Sequence, residues 1–548
     1  MALIIAGERS GVGKTTVTLA LLAALCRSEA AQGFPLADGD HGVQSFKVGP
    51  DYIDPMFHRY VTGRPCRNLD PILTSETYVR QCFATHSQTA SCTLVEGVMG
   101  LFDGASGQEE IGSTAHIARI LNIPVLLVLD CRRLSRSVGA IALGYQSFDP
   151  RVQIVGVVLN QVGSDRHEQM LRQALDPLDL DVVGVIRRDQ VVTLPDRHLG
   201  LIPTDELLEL NRIVEQLAQL GRTCFDWEIL HPLLQSSGRL ENQEKANSTE
   251  GSPSPSNTNS SNTNLFTRHS PSPGSRPRIA IARDRAFSFY YADNLDLLQE
   301  LGAELVEWSP MQDSHLPSDI SGLYFGGGFP EVFAADLADN PSARRQVHRA
   351  IAAGIPTYAE CGGLMYLCET LIDFENHPWP MVGTLPFTVR MGQRLALGYR
   401  RAIAQHDTPL MKQGETVWGH EFHRSVLSAV PGSEHQNAAV FPNSSQLESI
   451  DSKERALDNQ VVSDLSLEQP LGQRPAQYRD VCNPDRLYRL RGFDPGSTEF
   501  NEGWRWRNLH ASYVHLHWGN CPDLPARFIH HCKIWTNRLP KGASAVEN

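Results

Sequence analysis

Cys361 lies in the run Ile355-Pro356-Thr357-Tyr358-Ala359-Glu360-Cys361-Gly362-Gly363-Leu364-Met365. A strand-like stretch enters the cysteine and a helix-like stretch leaves it. That pattern predicts a sharp elbow that presents a thiol beside backbone N–H groups. Once a base takes its proton, such a thiol can attack a carboxamide carbon. Ala511-Ser512-Tyr513-Val514-His515-Leu516-His517-Trp518 offers His515 and His517, two apart and so on one face of a strand. The resulting oxyanion needs two N–H donors. Gly362 can supply one. Gly328, in Gly326-Gly327-Gly328-Phe329-Pro330-Glu331, can supply the other, since a glycine run permits unusual backbone orientations. A buried cysteine is ordinarily packing. Elbow, glycine run and late histidines together favour catalysis.

A second chemistry is written at the start of the chain, in Gly7-Glu8-Arg9-Ser10-Gly11-Val12-Gly13-Lys14-Thr15-Thr16. It follows a strand-like segment and precedes a helix-like one, the context of a phosphate-binding loop. Gly11 and Gly13 let the backbone wrap phosphates, with Thr16 in the first helical turn facing the anion. Lys14 would neutralise the β/γ oxygens of ATP, and the Thr15 hydroxyl would ligate Mg²⁺. The spacing from Gly7 to Gly13 is one residue longer than the common form. Two acidic segments could complete the metal site: 47–55, with Asp51 and Asp54, and 95–104, with Glu96 and Asp103. Mg²⁺ takes oxygen ligands, usually one or two carboxylates with phosphate and water. Glu96 ends a strand-like run before a glycine, where open α/β sheets bind ligands. The aspartates stand beside Gly and Pro, so turn formation is their other reading. Gly419-His420-Glu421-Phe422-His423 either contacts substrate, through Glu421 and His423, or forms a buried polar network. Its His-Glu-x-His spacing is not that of a zinc protease.

Elements must carry these residues. The 548-residue length allows two or three domains with full cores. Five apolar runs, at 2–6, 92–95, 125–129, 154–159 and 182–186, predict a parallel sheet, with helices over 17–26 and 113–121. Residues 236–276 are rich in Ser, Pro, Asn and Thr and predict a linker. A second α/β pattern restarts at 278–282. Residues 431–485 are polar and weakly periodic and predict a surface insertion, with regular structure returning by Trp504. The division expected is therefore 1–235, a linker over 236–276, and 277–548.

Net charge −13 and pI near 5.9 argue against a nucleic-acid binder. Eleven cysteines without metal spacing suggest reduced, cytoplasmic thiols. No apolar run approaches the roughly 20 residues of a membrane span. A homo-oligomer is compatible with the sequence.

As a set, these motifs, with Arg197-His198-Leu199-Gly200-Leu201 and Leu397-Gly398-Tyr399-Arg400, resemble the cobyrinic acid a,c-diamide synthases of cobalamin biosynthesis. The N-terminal half is similar to the doubly wound P-loop fold of dethiobiotin synthetase, the C-terminal half to a class I glutamine amidotransferase domain. The resemblance implies that glutamine is hydrolysed at Cys361, with His515 the base because it directly follows Tyr513-Val514. It implies that ATP phosphorylates a corrin carboxylate in the N-terminal half and that ammonia displaces the phosphate, at the a and c acetates in turn. Asp51, Asp103, Arg197, His198, Glu421 and His423 are then candidate substrate contacts. Many class I amidotransferases have His-x-Glu where this chain has His515-Leu516-His517, so the acid partner of His515 is open. Cobyric acid synthase, hydrogenobyrinic acid as substrate and Ni-sirohydrochlorin as substrate are the nearby alternatives. A partitioning-type ATPase switch is the alternative from another class, and Arg9 stands where that group has its signature lysine.

Overall fold

The structure, a computed structural model, describes residues 2–27, 42–107, 109–190, 192, 194, 196–197, 200–207, 209–235, 276–429, 483–494 and 496–538. The expected linker and insertion fall almost wholly outside these residues, as does His198.

The N-terminal half is a parallel sheet of seven strands among the described residues: β1 (Ala2–Gly7), β2 (Val43–Val48), β3 (Arg67–Leu69), β4 (Cys92–Glu96), β5 (Val125–Asp130), β6 (Ile154–Val162) and β7 (Val182–Arg187). Their order is β3-β2-β4-β1-β5-β6-β7. Helices cover both faces, so the central strands are apolar on both sides. Helix α1 (Lys14–Cys26) is apolar nearly all round because it is wedged between the sheet and the helix Leu210–Thr223. Gly221 makes that crossing close: a Cβ there would lie 2.2 Å from the Ala20 carbonyl. The helix Thr114–Leu121 is capped by Ser113, whose Oγ accepts the His116 N–H at 3.0 Å. Five of the strands lie where the apolar runs place them. β2 and β3 were not expected, because β2 buries Gln44, Ser45 and Lys47 and so does not read as an apolar run.

The C-terminal half is a mixed sheet. Five parallel strands run in the order Glu304–Trp308, Arg278–Ala282, Gly322–Phe325, Thr357–Glu360, Leu509–Ser512. Antiparallel strands Phe500–Trp506, Asp485–Gly492 and Leu385–Ala404 extend it. Regular structure returns at Asp485, ahead of Trp504: Leu487, Tyr488 and Leu490 are buried while Arg489 faces outward. Leu385–Ala404 and Thr416–Ala429 form a long antiparallel pair, and the latter also pairs with Val514–Leu516.

The halves meet through buried polar contacts. Arg67 Nη1 lies 3.2 Å from Asp293 and 2.6 Å from Asp296. The Tyr399 hydroxyl donates to the buried Asp70 carboxylate at 2.8 Å. A Cβ on Gly519 would lie 2.2 Å from the Tyr78 ring, so glycine lets that ring seat. No described helix is long and apolar enough to cross a membrane.

Candidate active sites and the cavity between them

β1 ends at Gly7 and α1 begins at Lys14, so the loop between them lies at the carboxyl ends of the central strands, beside Glu96 at the end of β4. Gly11 and Gly13 have φ of 76° and 97°. A Cβ on Gly13 would lie 2.4 Å from Asn160 Nδ2, and that amide donates to the Val12 carbonyl at 2.8 Å, holding the loop against β6. Lys14 Nζ donates to the carbonyls of Arg9 at 3.1 Å and Met99 at 2.6 Å. Burial, then the neighbouring Lys47, lowers the Lys14 ammonium to about 8. Thr16 occupies the helix's first turn.

Thr15, Asp54 and Glu96 come together. The Thr15 hydroxyl is 2.6 Å from Glu96 Oε1 and 3.5 Å from Asp54 Oδ2. Two residues not singled out from sequence complete this cluster. Lys47 Nζ is 2.7 Å from Asp54 and 3.0 Å from Glu96, and His58 Nε2 is 2.7 Å from Glu96 Oε2. The available signal was that Lys47 opens the acidic segment 47–55 already marked for Asp51 and Asp54. Burial alone would raise Glu96, but Lys47 first, then His58 and Thr15, hold it well below the usual carboxylate range. Burial, then Asp51, raises Asp54 to about 7. Clustered oxygen donors of this kind suit Mg²⁺.

In the C-terminal half, Cys361 joins the strand Thr357–Glu360 to the helix Gly362–Leu367 with φ 46° and ψ −100°. A non-glycine residue there is strained, as a nucleophile elbow requires. A Cβ on Gly362 would lie 3.0 Å from Gly328 N, and one on Gly363 would lie 2.6 Å from Phe325 Cβ and O, so both glycines let the glycine loop approach the elbow. A Cβ on Gly328 would lie 2.1 Å from the Ala286 carbonyl. The Gly328 and Gly362 backbones therefore lie side by side at the thiol. Burial first, then Glu331, pushes the thiol up, while the Gly362 N–H counters.

His515 is buried with its ring over Gly327, whose Cβ would lie 2.5 Å from His515 Cε1. Burial, then His420 and His423, lowers its imidazole to about 3. Its Nδ1 is 3.9 Å from Glu360 Oε2. Glu360 thus stands where an acid partner would, though sequence reasoning did not select it. It accepts the Leu516 N–H at 3.0 Å and the Tyr324 hydroxyl at 3.2 Å, and burial raises it to about 7. His517 sits in different surroundings from His515. It lies beyond the strand Val514–Leu516, with Nε2 3.4 Å from Asp293 and its ring 4.7 Å from Tyr291.

A cavity of about 400 Å³ opens between the halves. Asp51, Tyr52, Asp54, Met99 and Asp103 line it from the N-terminal side, and Leu397, Tyr399, His420 and Phe422 from the other. Asp51 also caps the helix Ile53–Thr62, its Oδ1 accepting the Ile53 and Asp54 N–H groups at 2.8 and 3.1 Å. Asp103 Oδ2 accepts the Gly100 N–H at 2.8 Å. Both thus form turns and face the cavity. The Phe422 carbonyl is 3.9 Å from the Cys361 sulfur, so one strand touches both thiol and cavity. Glu421 and His423 do not line the cavity. Glu421 pairs with Arg400 at 2.7 Å and His423 at 3.1 Å, and His423 stacks on Tyr513 at 3.8 Å. Alternation along the strand turns them inward, into the buried network that was their other reading. Arg197 pairs with Gly200 in a two-residue hairpin strand.

Two family models match. Residues 3–202 match the CobQ/CobB/MinD/ParA nucleotide binding domain, and residues 278–460 the CobB/CobQ-like glutamine amidotransferase domain. A cobyrinate a,c-diamide synthase of Synechococcus sp. is 52% identical over 97% of this chain and 98% of its own. One of Synechocystis sp. is 44% identical over 98% of this chain and 95% of its own. A hydrogenobyrinate a,c-diamide synthase of Streptomyces coelicolor is 38% identical over 97% of this chain and 97% of its own. A nucleotide-binding sheet and an amidotransferase elbow, joined in one chain and matched along nearly all its length, place this protein in the cobyrinate a,c-diamide synthase family.

Proposed function

We propose that this chain amidates the a and c acetate carboxylates of cobyrinic acid, with ATP as the activating co-substrate and glutamine as the nitrogen source. The observation that carries the reading is the cavity wall, which reaches Asp54 on one side and, through Phe422, the Cys361 thiol on the other. Residues 1–235 would serve as the ATP-dependent half and 277–548 as the amidotransferase, with 236–276 joining them. Cys361 attacks the glutamine carboxamide, His515 takes the thiol proton, and the Gly328 and Gly362 N–H groups receive the oxyanion. Ammonia is released and the remaining thioester is hydrolysed.

A carboxylate is a poor acyl donor until one oxygen becomes a phosphate leaving group. Lys14 and the loop around Gly11 and Gly13 would hold ATP for that transfer. Thr15, Asp54 and Glu96 would hold Mg²⁺, which when bound supplies charge neutralisation at the phosphates. Asp51 and Asp103, which line the cavity, would orient substrate. Neutral His420, lowered to about 4 by burial and then Arg400, offers ammonia no acid on its way. The Streptomyces relative supports a second reading, the same chemistry on hydrogenobyrinic acid. Purified protein with ATP, Mg²⁺ and glutamine should convert cobyrinic acid to mono- and diamides by mass spectrometry, and Lys14→Ala should not. Faster turnover of hydrogenobyrinic acid would select the second reading, and no amidation of either corrin would reject both.

A further inference from the structure

Among the residues around His515, one comes from the other half of the molecule. Tyr52 belongs to the N-terminal segment that carries Asp51 and Asp54, and it is the residue before the helix Ile53–Thr62. Its ring centroid lies 5.0 Å from that of His515, tilted by 42°. Phe289 stacks on it at 5.4 Å and 10°, and Tyr291 packs at 4.5 Å. Tyr52 is 7% exposed and faces the cavity. The imidazole is thus held between Gly327, where only a glycine leaves room, and a tyrosine from the nucleotide-binding half.

We propose that Tyr52 is a positioning residue for His515, so that the segment carrying Asp54 sets the geometry of the amidotransferase base. The inference rests on the proposed function. Three observations support it. The His515 Nδ1 is 3.9 Å from Glu360, too far for that carboxylate alone to fix the ring by a hydrogen bond. Aromatic packing therefore does much of the orienting. Tyr52 is itself fixed on two other sides by Phe289 and Tyr291, so its ring is a wall rather than a loose side chain. Asp54, two residues on, shares the cluster of Thr15, Lys47 and Glu96, so whatever occupies that cluster bears on the backbone of Tyr52. The amidotransferase site is then complete only when the N-terminal half is seated against it.

The test uses the full chain and follows glutamate release with ATP, Mg²⁺ and cobyrinic acid present. Tyr52→Leu keeps an apolar side chain but removes the ring. It should lower kcat for glutamine hydrolysis about 10- to 100-fold, the scale of a misplaced catalytic group, with KM for glutamine little changed. Tyr52→Phe keeps the ring and should restore the wild-type rate. Phe289→Leu frees the far side of Tyr52 and should give a smaller loss in the same direction. Retained binding of a fluorescent ATP analogue establishes that each variant is folded. Wild-type kcat in folded Tyr52→Leu or Phe289→Leu overturns the proposal, as does a Tyr52→Phe loss equal to that of Tyr52→Leu. A Cys361→Ala control separates the two ideas: if it still hydrolyses glutamine, the proposed function itself fails.

Discussion

The proton on Cys361 must leave before the sulfur can attack, yet burial and the nearby Glu331 hold it on. In the proposed reaction His515 is the acceptor; burial keeps its imidazole neutral, lowered to about 3, but also weakens it as a base, so the imidazolium formed needs a carboxylate beside it. Removing His515 should cost 10²- to 10⁴-fold in glutamine hydrolysis, the usual range for a general base. We expect His515→Ala to slow iodoacetamide alkylation of Cys361 near neutral pH, and His517→Ala to leave alkylation nearly unchanged, because His517 is engaged with Asp293. The reverse pattern would reassign the base. Glu360 adds a pH dependence. Burial raises it to about 7, so it is protonated below that pH and ionised above it. Only the ionised form favours the imidazolium created when His515 takes the proton. Glutamine hydrolysis should therefore rise with pH through about 7, and Glu360→Gln should be slower and lack that rise. The same raised value makes the stability contributed by this carboxyl greatest below its ordinary range and lost as pH climbs through about 7.

At the scale of elements, each site depends on a strand that stops at a glycine-rich turn. Gly328 is the sharpest case, because a Cβ there would sit 2.1 Å from a backbone oxygen. Gly328→Ala must displace the loop. We expect it to reduce glutamine-dependent amidation by about the 10²- to 10³-fold typical of a lost oxyanion donor. Amidation supported by added ammonium should be nearly unaffected, and an equal loss with both nitrogen sources would show that the loop serves the whole enzyme. These turns were legible in the sequence because glycine spacing survives translation into structure unchanged. The Cys361 elbow, the loop before Lys14 and the strand ends near Glu96 were found for that reason. Lys47 and His58 were not selected, because a buried polar residue looks like a surface one until its partners are known. Glu360 was overlooked although it adjoins the nucleophile, since its partner His515 is remote in sequence and its side chain meets Tyr324 and Leu516 only in the folded sheet. Alternation decided Glu421 and His423: in Thr416–Ala429 they point inward while His420 and Phe422 face the cavity.

At the scale of the molecule, a buried ion pair, Arg67 with Asp293, ties the two halves, with the more exposed Asp296 beside it. Arg67 is 7% exposed at its side chain and meets Asp293 and Asp296 across the boundary. Breaking a buried pair by deleting one partner commonly costs about 3–5 kcal/mol, since the other charge is left uncompensated. Arg67→Ala should accordingly lower the unfolding midpoint in urea. It should also release more glutamate per amide formed, because the halves no longer enclose the cavity. Unchanged stoichiometry in a destabilised Arg67→Ala protein would separate stability from coupling. The pairing of Arg67 with Asp293 and Asp296 was not readable in advance, for the partners are more than two hundred residues apart and none of the three lies in a motif.

In the proposed reaction, nitrogen freed at Cys361 reaches the activated corrin carboxylate through the cavity between the halves. The most direct measurement supplies cobyrinic acid, ATP, Mg²⁺ and glutamine labelled with ¹⁵N in its amide, in the presence of excess unlabelled ammonium, and reads the product by mass spectrometry. The expected product is a diamide whose new nitrogens are predominantly ¹⁵N. A diamide carrying the unlabelled nitrogen of the bulk solution would contradict that route.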